Sequence, residues 1–154
     1  MRRINIIYAG GMKEKYYKDA VSEYVKRLSA EFKISDIEIK EEKSSESLKS
    51  LKTEGKKILE KTGGCAFKIA LCVEGNKLSS EGFSSLLYGE KAINSQSVDF
   101  FIGSSHGLSD EVKKSADYLL SFSDMTFTHS LARVMLMEQI YRAFSIENGR
   151  KYHK

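Results

Sequence analysis

Residues 100–109, Phe-Phe-Ile-Gly-Ser-Ser-His-Gly-Leu-Ser, decide how this chain folds. Their apolar start is typical of a buried strand, and it passes directly into a loop of small residues. A second loop, Met-Thr-Phe-Thr-His at residues 125–129, leads into a long apolar helix. Glycine lets a backbone approach a ligand closely because it has no side chain. A dinucleotide-binding Rossmann domain carries its glycine loop after the first strand, so a loop this late predicts a different nucleotide-type pocket.

The rest of the sequence alternates predicted strands and helices. Strands are expected at residues 3–8, 34–39, 67–73, 98–102 and 119–120, the second of them at a sheet edge. Helices are expected at residues 15–28, at 44–61, from 79 or 80 to 88, from 109, and from 128 or 129 to 147. This alternation predicts a single α/β domain over residues 1–154, in which helices sandwich a mostly parallel sheet.

Small and polar residues mark the expected ends of these elements. Ser44 or Ser45 is predicted to cap the second helix, and Gly63-Gly64 to end it. Glu74-Gly75-Asn76 is predicted to form a turn that ends the third strand. Ser109 is predicted to cap the helix after the glycine loop, and Asn148-Gly149 to end the last helix.

Composition and charge limit the classes of function. Apolar residues make up 41% of the 154 and charged residues 30%, as in a globular domain. The net charge of +4 permits a nucleic-acid partner without requiring one. Cys65 and Cys72 fit no zinc spacing, and no apolar run approaches the ~18 residues of a membrane span. We therefore expect a cytoplasmic protein with reduced thiols, no metal and no membrane contact.

The last predicted helix is apolar on nearly every side. Between Ser130 and Ile146 only Arg133, Glu138 and Arg142 are charged. A helix that is apolar all round is buried all round, and in so small a protein a second subunit is the expected cover. This pattern predicts a homodimer; the alternative is a central helix within a monomer.

The charged residues on that helix have both structural and functional interpretations. Glu138 and Arg142 lie four residues apart, which suits an ion pair as well as catalysis. His129 either makes a hydrogen bond at the helix end or takes part in chemistry, and Arg133 either pairs with an acid or binds a ligand. The basic and aromatic tail, residues 149–154, is either frayed or suited to stacking on a base and holding phosphate.

Linked motifs in the last third resemble a known family. In chain order they are Phe101-Ile102-Gly103-x-x-x-Gly107-Leu108-Ser109-Asp110, Ser121-x-Ser123-x-Met125-Thr126-Phe127-x-His129-x-Leu131-x-Arg133, Glu138-Gln139-x-Tyr141-Arg142-Ala143-Phe144 and the terminal Tyr152-His153. Over essentially the whole chain, the sequence resembles the bacterial 23S rRNA pseudouridine N3-methyltransferases, the smallest members of the SPOUT superfamily.

The resemblance implies a fold, a cofactor and a substrate. The fold is an α/β domain with a C-terminal trefoil knot, which is too rare for pattern or composition to suggest. The cofactor is S-adenosylmethionine, bound among the knot loops of a homodimer. The substrate is N3 of pseudouridine 1915 in helix 69 of 23S rRNA, within the assembled 70S ribosome.

The resemblance also assigns cofactor-binding residues, at the end of the third strand and in two loops. They are Leu71, Gly103, Gly107, Phe122, Ser123, Asp124, Met125, Thr126 and Phe127. Two positions depart from the family: Ser104 stands where a second glycine is usual, and Thr128 where proline is usual. The small Ser104 predicts a slightly reshaped pocket, and Thr128 can cap the last helix in place of proline.

Methylation of N3 needs help with a weakly acidic proton, in a site that aligns the reactants and excludes water. We expect His129 or Glu138 to help take that proton, while Arg142 or Arg133 stabilises the anion or holds phosphate. The partner subunit is expected to supply two residues that position the base, Tyr152 and His153. The basic residues expected to contact RNA are Arg133, Arg150, Lys151 and Lys154.

Other classes of protein fit the sequence less well. A related methyltransferase acting on tRNA is the first alternative, although the chain has no added RNA-binding domain. A noncatalytic dimeric nucleotide-binding module is the second, although a binder need not keep His129 and Arg142 together with Tyr152-His153. A nicotinamide oxidoreductase fits least, because Ala9-Gly10-Gly11-Met12-Lys13 lacks the G-x-G-x-x-G spacing.

Overall fold

The computed structural model describes residues 1–43 and 46–152. Within them the strands are β1 (Arg2–Ala9), β2 (Phe32–Ile39), β3 (Ala66–Lys77), β4 (Ser97–Ile102) and β5 (Tyr118–Ser121). The helices are α1 (Lys15–Leu28), α2 (Ser47–Lys61), α3 (Ser80–Leu87), α4 (Glu90–Asn94), α5 (Asp110–Ser115) and α6 (His129–Glu147).

The five strands form one sheet in the order β2-β1-β4-β3-β5, and every neighbouring pair is parallel. The predicted α/β fold is thus confirmed, and β2 lies at a sheet edge as expected. Because all the strands point the same way, their carboxyl ends meet along one side of the sheet, where ligands bind in open α/β folds.

Helices cover both faces of the sheet. Phe100 and Phe101 are adjacent in the central strand β4, so their side chains point to opposite faces, and both are fully buried. On the Phe100 face lie α1, α3 and α6, and Ile140 of α6 joins that core. On the Phe101 face lie α2 and α5, which contribute Ile58 and Val112. Residues 100–102 are therefore all apolar because the side chains on both faces of β4 pack in the core.

Side-chain caps begin several helices where the sequence predicts them. Ser79 begins α3 by accepting a hydrogen bond from the Gly82 N–H, and Ser109 begins α5 by accepting one from the Val112 N–H. Thr128 Oγ1 accepts from the Leu131 N–H at 3.3 Å and so caps α6. The expectation that Thr128 can replace a proline at this position is confirmed.

The predicted turn at Glu74-Gly75-Asn76 is wrong. Strand β3 continues to Lys77 through a bulge, after which Asn76 pairs with Leu120 of β5. A Cβ on Gly75 would lie 2.7 Å from the Leu120 carbonyl carbon, so the glycine allows two strands to approach rather than the chain to turn.

Other boundaries differ by a few residues. Strand β2 begins at Phe32, two residues before the predicted start, and the five-residue α4 has no counterpart in the predicted elements. Helix α2 begins at Ser47, later than predicted, and the proposed caps Ser44 and Ser45 lie outside the described residues. Within residues 1–43 and 46–152, no helix is both long enough and apolar enough to span a membrane.

A buried carboxylate organises the amino-terminal side of the sheet. Asp99 of β4 is fully buried and accepts hydrogen bonds from four groups. The donors are Asn5 Nδ2 at 2.7 Å, Ser97 Oγ at 2.8 Å, Thr62 Oγ1 at 2.7 Å and the Gly63 N–H at 3.1 Å. Because a buried charge is costly without such donors, the pairing fixes β1, β4 and the end of α2 relative to one another.

We expect Asp99→Asn to lower the free energy of unfolding by about 2–4 kcal/mol, because the amide replaces one acceptor oxygen with an NH2 donor that faces other donors and leaves polar groups unsatisfied. Urea unfolding of the variant and the parent chain measures the difference. Asp19→Asn is the control: Asp19 makes an exposed pair with Lys15 and should cost less than ~1 kcal/mol. Equal effects of the two substitutions would contradict this account of Asp99.

Candidate active site

A cleft of about 890 Å³ opens at the carboxyl ends of the strands. Four strands and the last helix contribute to its lining: Gly11 follows β1, Leu71 lies in β3, Gly103 follows β4, Phe122 follows β5, and His129 begins α6. The parallel sheet brings these residues together although they are far apart in sequence. The volume is that of a pocket for a small molecule or cofactor.

The glycine loop after β4 is shaped by a backbone contact. A Cβ on Gly103 would lie 2.1 Å from the Gly107 carbonyl oxygen and 2.8 Å from the Leu108 nitrogen, so only glycine fits at position 103. Gly107 has φ +79°, a conformation that also favours glycine, and its N–H donates to the Ser104 carbonyl at 2.9 Å. The loop therefore folds back on itself and presents backbone to the cleft.

The second loop, residues 122–128, forms another wall of the cleft. Ser123 shapes it, because its hydroxyl accepts from the Met125 N–H at 3.1 Å and its carbonyl accepts from Ser121 Oγ at 3.0 Å. The Met125 side chain is 73% exposed although it lines the cleft, so the opening has an uncovered apolar rim.

The structure brings together most of the residues assigned to the cofactor. The ones that line this cleft are Leu71, Gly103, Gly107, Phe122, Ser123, Met125, Thr126 and Phe127. Asp124 does not line it: its carboxylate is exposed and lies 2.7 Å from Lys77 Nζ.

Of the expected catalytic residues that the structure describes, His129 alone lines the cleft. Its Nε2 lies 3.3 Å from the Gly11 carbonyl oxygen, which follows β1. A Cβ on Gly10, whose φ is +89°, would lie 3.3 Å from the same nitrogen. The half-buried imidazole is therefore held between the start of α6 and the glycine turn after β1.

Three other expected catalytic residues form a separate cluster outside the cleft lining. Glu138 accepts hydrogen bonds from Tyr24 Oη at 2.5 Å, Tyr152 Oη at 2.9 Å and Arg142 Nη2 at 2.6 Å. The Arg142 guanidinium also lies over the Tyr152 ring, 4.9 Å from its centroid. Tyr24, in α1, belongs to this cluster although no sequence motif predicts it.

Electrostatics keep Glu138 ionised. Burial raises the pKa of Glu138, but hydrogen bonds from Tyr24, Arg142 and Tyr152 outweigh it and leave the pKa below its usual range. Burial, followed by hydrogen bonding to Glu138, raises the pKa of both tyrosines. A carboxylate satisfied by three donors is a weak proton acceptor, so this cluster is better suited to orienting groups than to removing a proton.

The expected RNA-contacting residues have different surroundings. Arg133 is 3% exposed; its Nη2 lies 2.5 Å from Asp36 Oδ2, and its guanidinium lies 3.6 Å from the centroid of the Tyr8 ring. It is therefore paired within the chain, as one of the two sequence interpretations held, and has little surface for phosphate.

The tail carries the remaining expected RNA contacts. Arg150 is exposed, with its guanidinium 4.4 Å from the centroid of the Phe144 ring, and Lys151 is exposed. His153 and Lys154 lie outside the described residues.

One wall of the cleft has no counterpart among the residues predicted from the sequence. Residues at and after the end of β1 line it, including Lys13, Tyr16 and Tyr17. Strand β1 neighbours β4, so the rule that carboxyl ends of parallel strands meet at one edge could have placed them there.

An ion pair also lines the cleft. Hydrogen bonding between Glu74 and Lys113 lowers the pKa of the carboxyl group and raises that of the ammonium group, so both stay charged.

Among the described residues, no group of three or more His, Cys, Asp or Glu side chains is arranged to hold a metal ion.

Comparisons with known proteins agree with this geometry. A family model described as "Predicted SPOUT methyltransferase" matches residues 2–153. The Ribosomal RNA large subunit methyltransferase H of Streptococcus agalactiae serotype III is 46% identical, with 99% of each chain covered. The protein of the same name from Caldicellulosiruptor bescii is 50% identical, over 98% of this chain and 99% of the relative.

A solved structure supports the fold. A probable methylase family protein from Haemophilus influenzae Rd KW20 is similar with a TM-score of 0.56 and 11% identity, over 97% of this chain and 67% of that one. The full-length family match, together with relatives at this level of identity, establishes the family. The chain belongs to the SPOUT methyltransferases, in the group represented by relatives named ribosomal RNA large subunit methyltransferase H.

Proposed function

We propose that this chain transfers a methyl group from S-adenosylmethionine to N3 of pseudouridine 1915, in helix 69 of 23S rRNA within the assembled ribosome. One observation carries the proposal. In a chain 46–50% identical to proteins named as large-subunit rRNA methyltransferases, eight of the nine residues assigned to the cofactor line a single cleft. The proposed site of action is cytoplasmic, where ribosomes work.

The cleft suits S-adenosylmethionine. Apolar side chains of Leu71, Leu108 and Phe122 offer a surface for the flat adenine ring, and the 103–107 and 122–127 loops offer backbone groups for polar atoms. A side chain at position 103 would collide with Gly107, so the loop keeps its shape only with bare backbone there. When bound, the cofactor supplies an activated methyl group.

Of the two residues expected to take the N3 proton, His129 is better placed than Glu138. It lies in the cleft, whereas Glu138 is outside the lining and is already satisfied by three donors. An Nε2–H that donates to the Gly11 carbonyl leaves Nδ1 as the acceptor. In this proposal His129 accepts the proton, and the cleft walls exclude water while the base is aligned.

The Glu138 cluster acts in our proposal as an orienting unit for Arg142 and Tyr152. Glu138 holds the guanidinium and the phenol side by side. Arg142 then stabilises the imide anion or a phosphate, and Tyr152, with His153, positions the base. Because the cluster lies outside the cleft lining of its own chain, it would serve the cleft of a partner subunit.

A homodimer is part of the proposal for a second reason. On α6 the side chains of Leu131, Met135 and Ile146 remain only partly buried within a single chain. Covering such apolar surface is favourable by about 25 cal/mol per Å². We also infer the C-terminal trefoil knot, which the family resemblance supports.

The first experiment is methyl transfer from labelled S-adenosylmethionine to whole ribosomes that lack the modification, with nuclease mapping of the product. We expect label at N3 of pseudouridine 1915, and little transfer to naked 23S rRNA, because a 17.4 kDa chain has limited surface for reading sequence. Label on tRNA, or cofactor binding without transfer to either RNA, would contradict the proposed substrate.

Gly103→Ala should lower the affinity for S-adenosylhomocysteine by at least about 30-fold, or ~2 kcal/mol, because its Cβ would collide with the Gly107 carbonyl. Isothermal titration calorimetry measures the change. The control is Gly64→Ala, since a Cβ there meets nothing within 4 Å and the residue lies far from the cleft lining. Equal affinities of the two variants for S-adenosylhomocysteine would show that the 103–107 loop is not part of the cofactor site.

Two inactive variants should complement each other if the active site joins two subunits. His129→Ala and Arg142→Ala homodimers should each lose most activity. When the two chains are unfolded together and refolded, half the dimers are mixed and each has one intact site, so about a quarter of parental activity should return. Each variant refolded alone is the control. No recovery, with mixed dimers shown by mass spectrometry, would place both residues in one chain's site.

A further inference from the structure

We propose that Glu54 and Ser104 are positioning residues whose hydrogen bond holds two walls of the cleft at a fixed separation. The inference rests on the proposed function for its consequence, cofactor affinity, but its structural basis is independent. Glu54 lies in the middle of α2. Among the described residues, none from α2 lines the cleft, so Glu54 is not itself part of the lining.

Glu54 is a buried carboxylate whose two oxygens face different segments. It is 2% exposed. Its Oε2 accepts from Ser104 Oγ at 2.9 Å, and its Oε1 accepts from the Glu42 N–H at 3.0 Å. Hydrogen bonds to an ionised acceptor are about twice as strong as neutral ones. One side chain thus joins two segments whose bonded residues, Glu42 and Ser104, are 62 residues apart in the chain.

The first of these segments is the glycine loop. Ser104 is 6% exposed and directly follows Gly103, and its carbonyl accepts from the Gly107 N–H. Ser104 lines the cleft, but its hydroxyl donates to Glu54, which is not part of the lining. The residue that departs from the family pattern therefore anchors the loop rather than narrowing the cleft.

The second segment contributes to another part of the cleft lining. Glu41, next to Glu42, lines the cleft, and its carboxylate lies beside the Gly10 turn that contacts His129. Lys57, three residues after Glu54 on α2, forms an ion pair with Glu42. Helix α2 therefore holds this wall at two points.

Helix α2 also meets the far end of the glycine loop. A Cβ on Gly55 would lie 2.3 Å from Ser109 Oγ, so close packing there requires glycine. The adjacent residues Glu54 and Gly55 thus fix the loop at Ser104 and at Ser109. Removing the Glu54–Ser104 bond should loosen the loop without changing His129 or any residue assigned to the cofactor.

The test compares Ser104→Ala and Glu54→Gln with Glu60→Gln, an exposed glutamate on the same helix. The first measurement is amide hydrogen exchange without any cofactor. We expect faster exchange in both variants at residues 103–109 and at 41–43, with the control unchanged. Faster exchange only around the substituted residue would overturn the coupling. Should Glu54→Gln fail to fold, Ser104→Ala carries the comparison.

The second measurement separates positioning from general destabilisation. We expect KM for S-adenosylmethionine to rise about tenfold, while kcat at saturating cofactor stays within about twofold of the parent. The double variant should lose less than the product of the single effects, because the two residues share one bond. An unchanged KM would overturn the inference. Absence of cofactor binding by the parent chain would instead overturn the proposed function, and the exchange result would still decide the coupling.

Discussion

The contact between the Gly103 and Gly107 backbones is the constraint on which the rest of the site depends. The chain leaves the most buried strand of the sheet and folds back so tightly that no side chain fits at position 103. At Gly103 and Gly107 only backbone can face the cleft. Ser104 anchors the loop by donating a hydrogen bond to Glu54 of α2, so the loop is held from the helix layer rather than from the ligand side.

The two ends of the sheet have different roles. At the amino end, Asp99 gathers donors from two strands and the end of α2, and at the carboxyl end the strands open into the cleft. Helix α2 takes part in both, since Thr62 and Gly63 at its end bind Asp99 and Glu54 in its middle binds the loop. One helix thus connects the stability of the sheet to the shape of the site.

Local patterns predicted most of this fold because they coincide with its packing. The Phe100-Phe101-Ile102 run is apolar since both faces of β4 are buried, and Ser79, Ser109 and Thr128 begin helices by a short-range hydrogen bond. The prediction of a turn at Gly75 is wrong because this glycine has a tertiary role: it lets β5 pack closely against the bulge in β3. A short-range pattern cannot distinguish that role from a turn.

The sequence predicts those parts of the site whose residues are contiguous within a single loop. The motif residues after β4 and β5 line the cleft, but the wall formed after β1 depends on which strands are neighbours. The spacing of Glu138 and Arg142 indicated an ion pair, which the structure has. Tyr24 donates a hydrogen bond to Glu138 because α1 packs on α6, and no spacing within the sequence reveals that packing. The same limit applies to the pairing of Glu54 with Ser104.

The lining of the cleft comes from the beginning, the middle and the last helix of the chain: Gly11, Leu71, Gly103 and His129 all contribute. Central β4 pairs with β1 across about ninety residues, so the sheet cannot close until most of the polypeptide exists. A nascent chain that has not yet reached α6 has no complete cleft to offer. During synthesis, therefore, ligand capture cannot assist the early stages of folding, and the growing chain must collapse on its apolar strands alone.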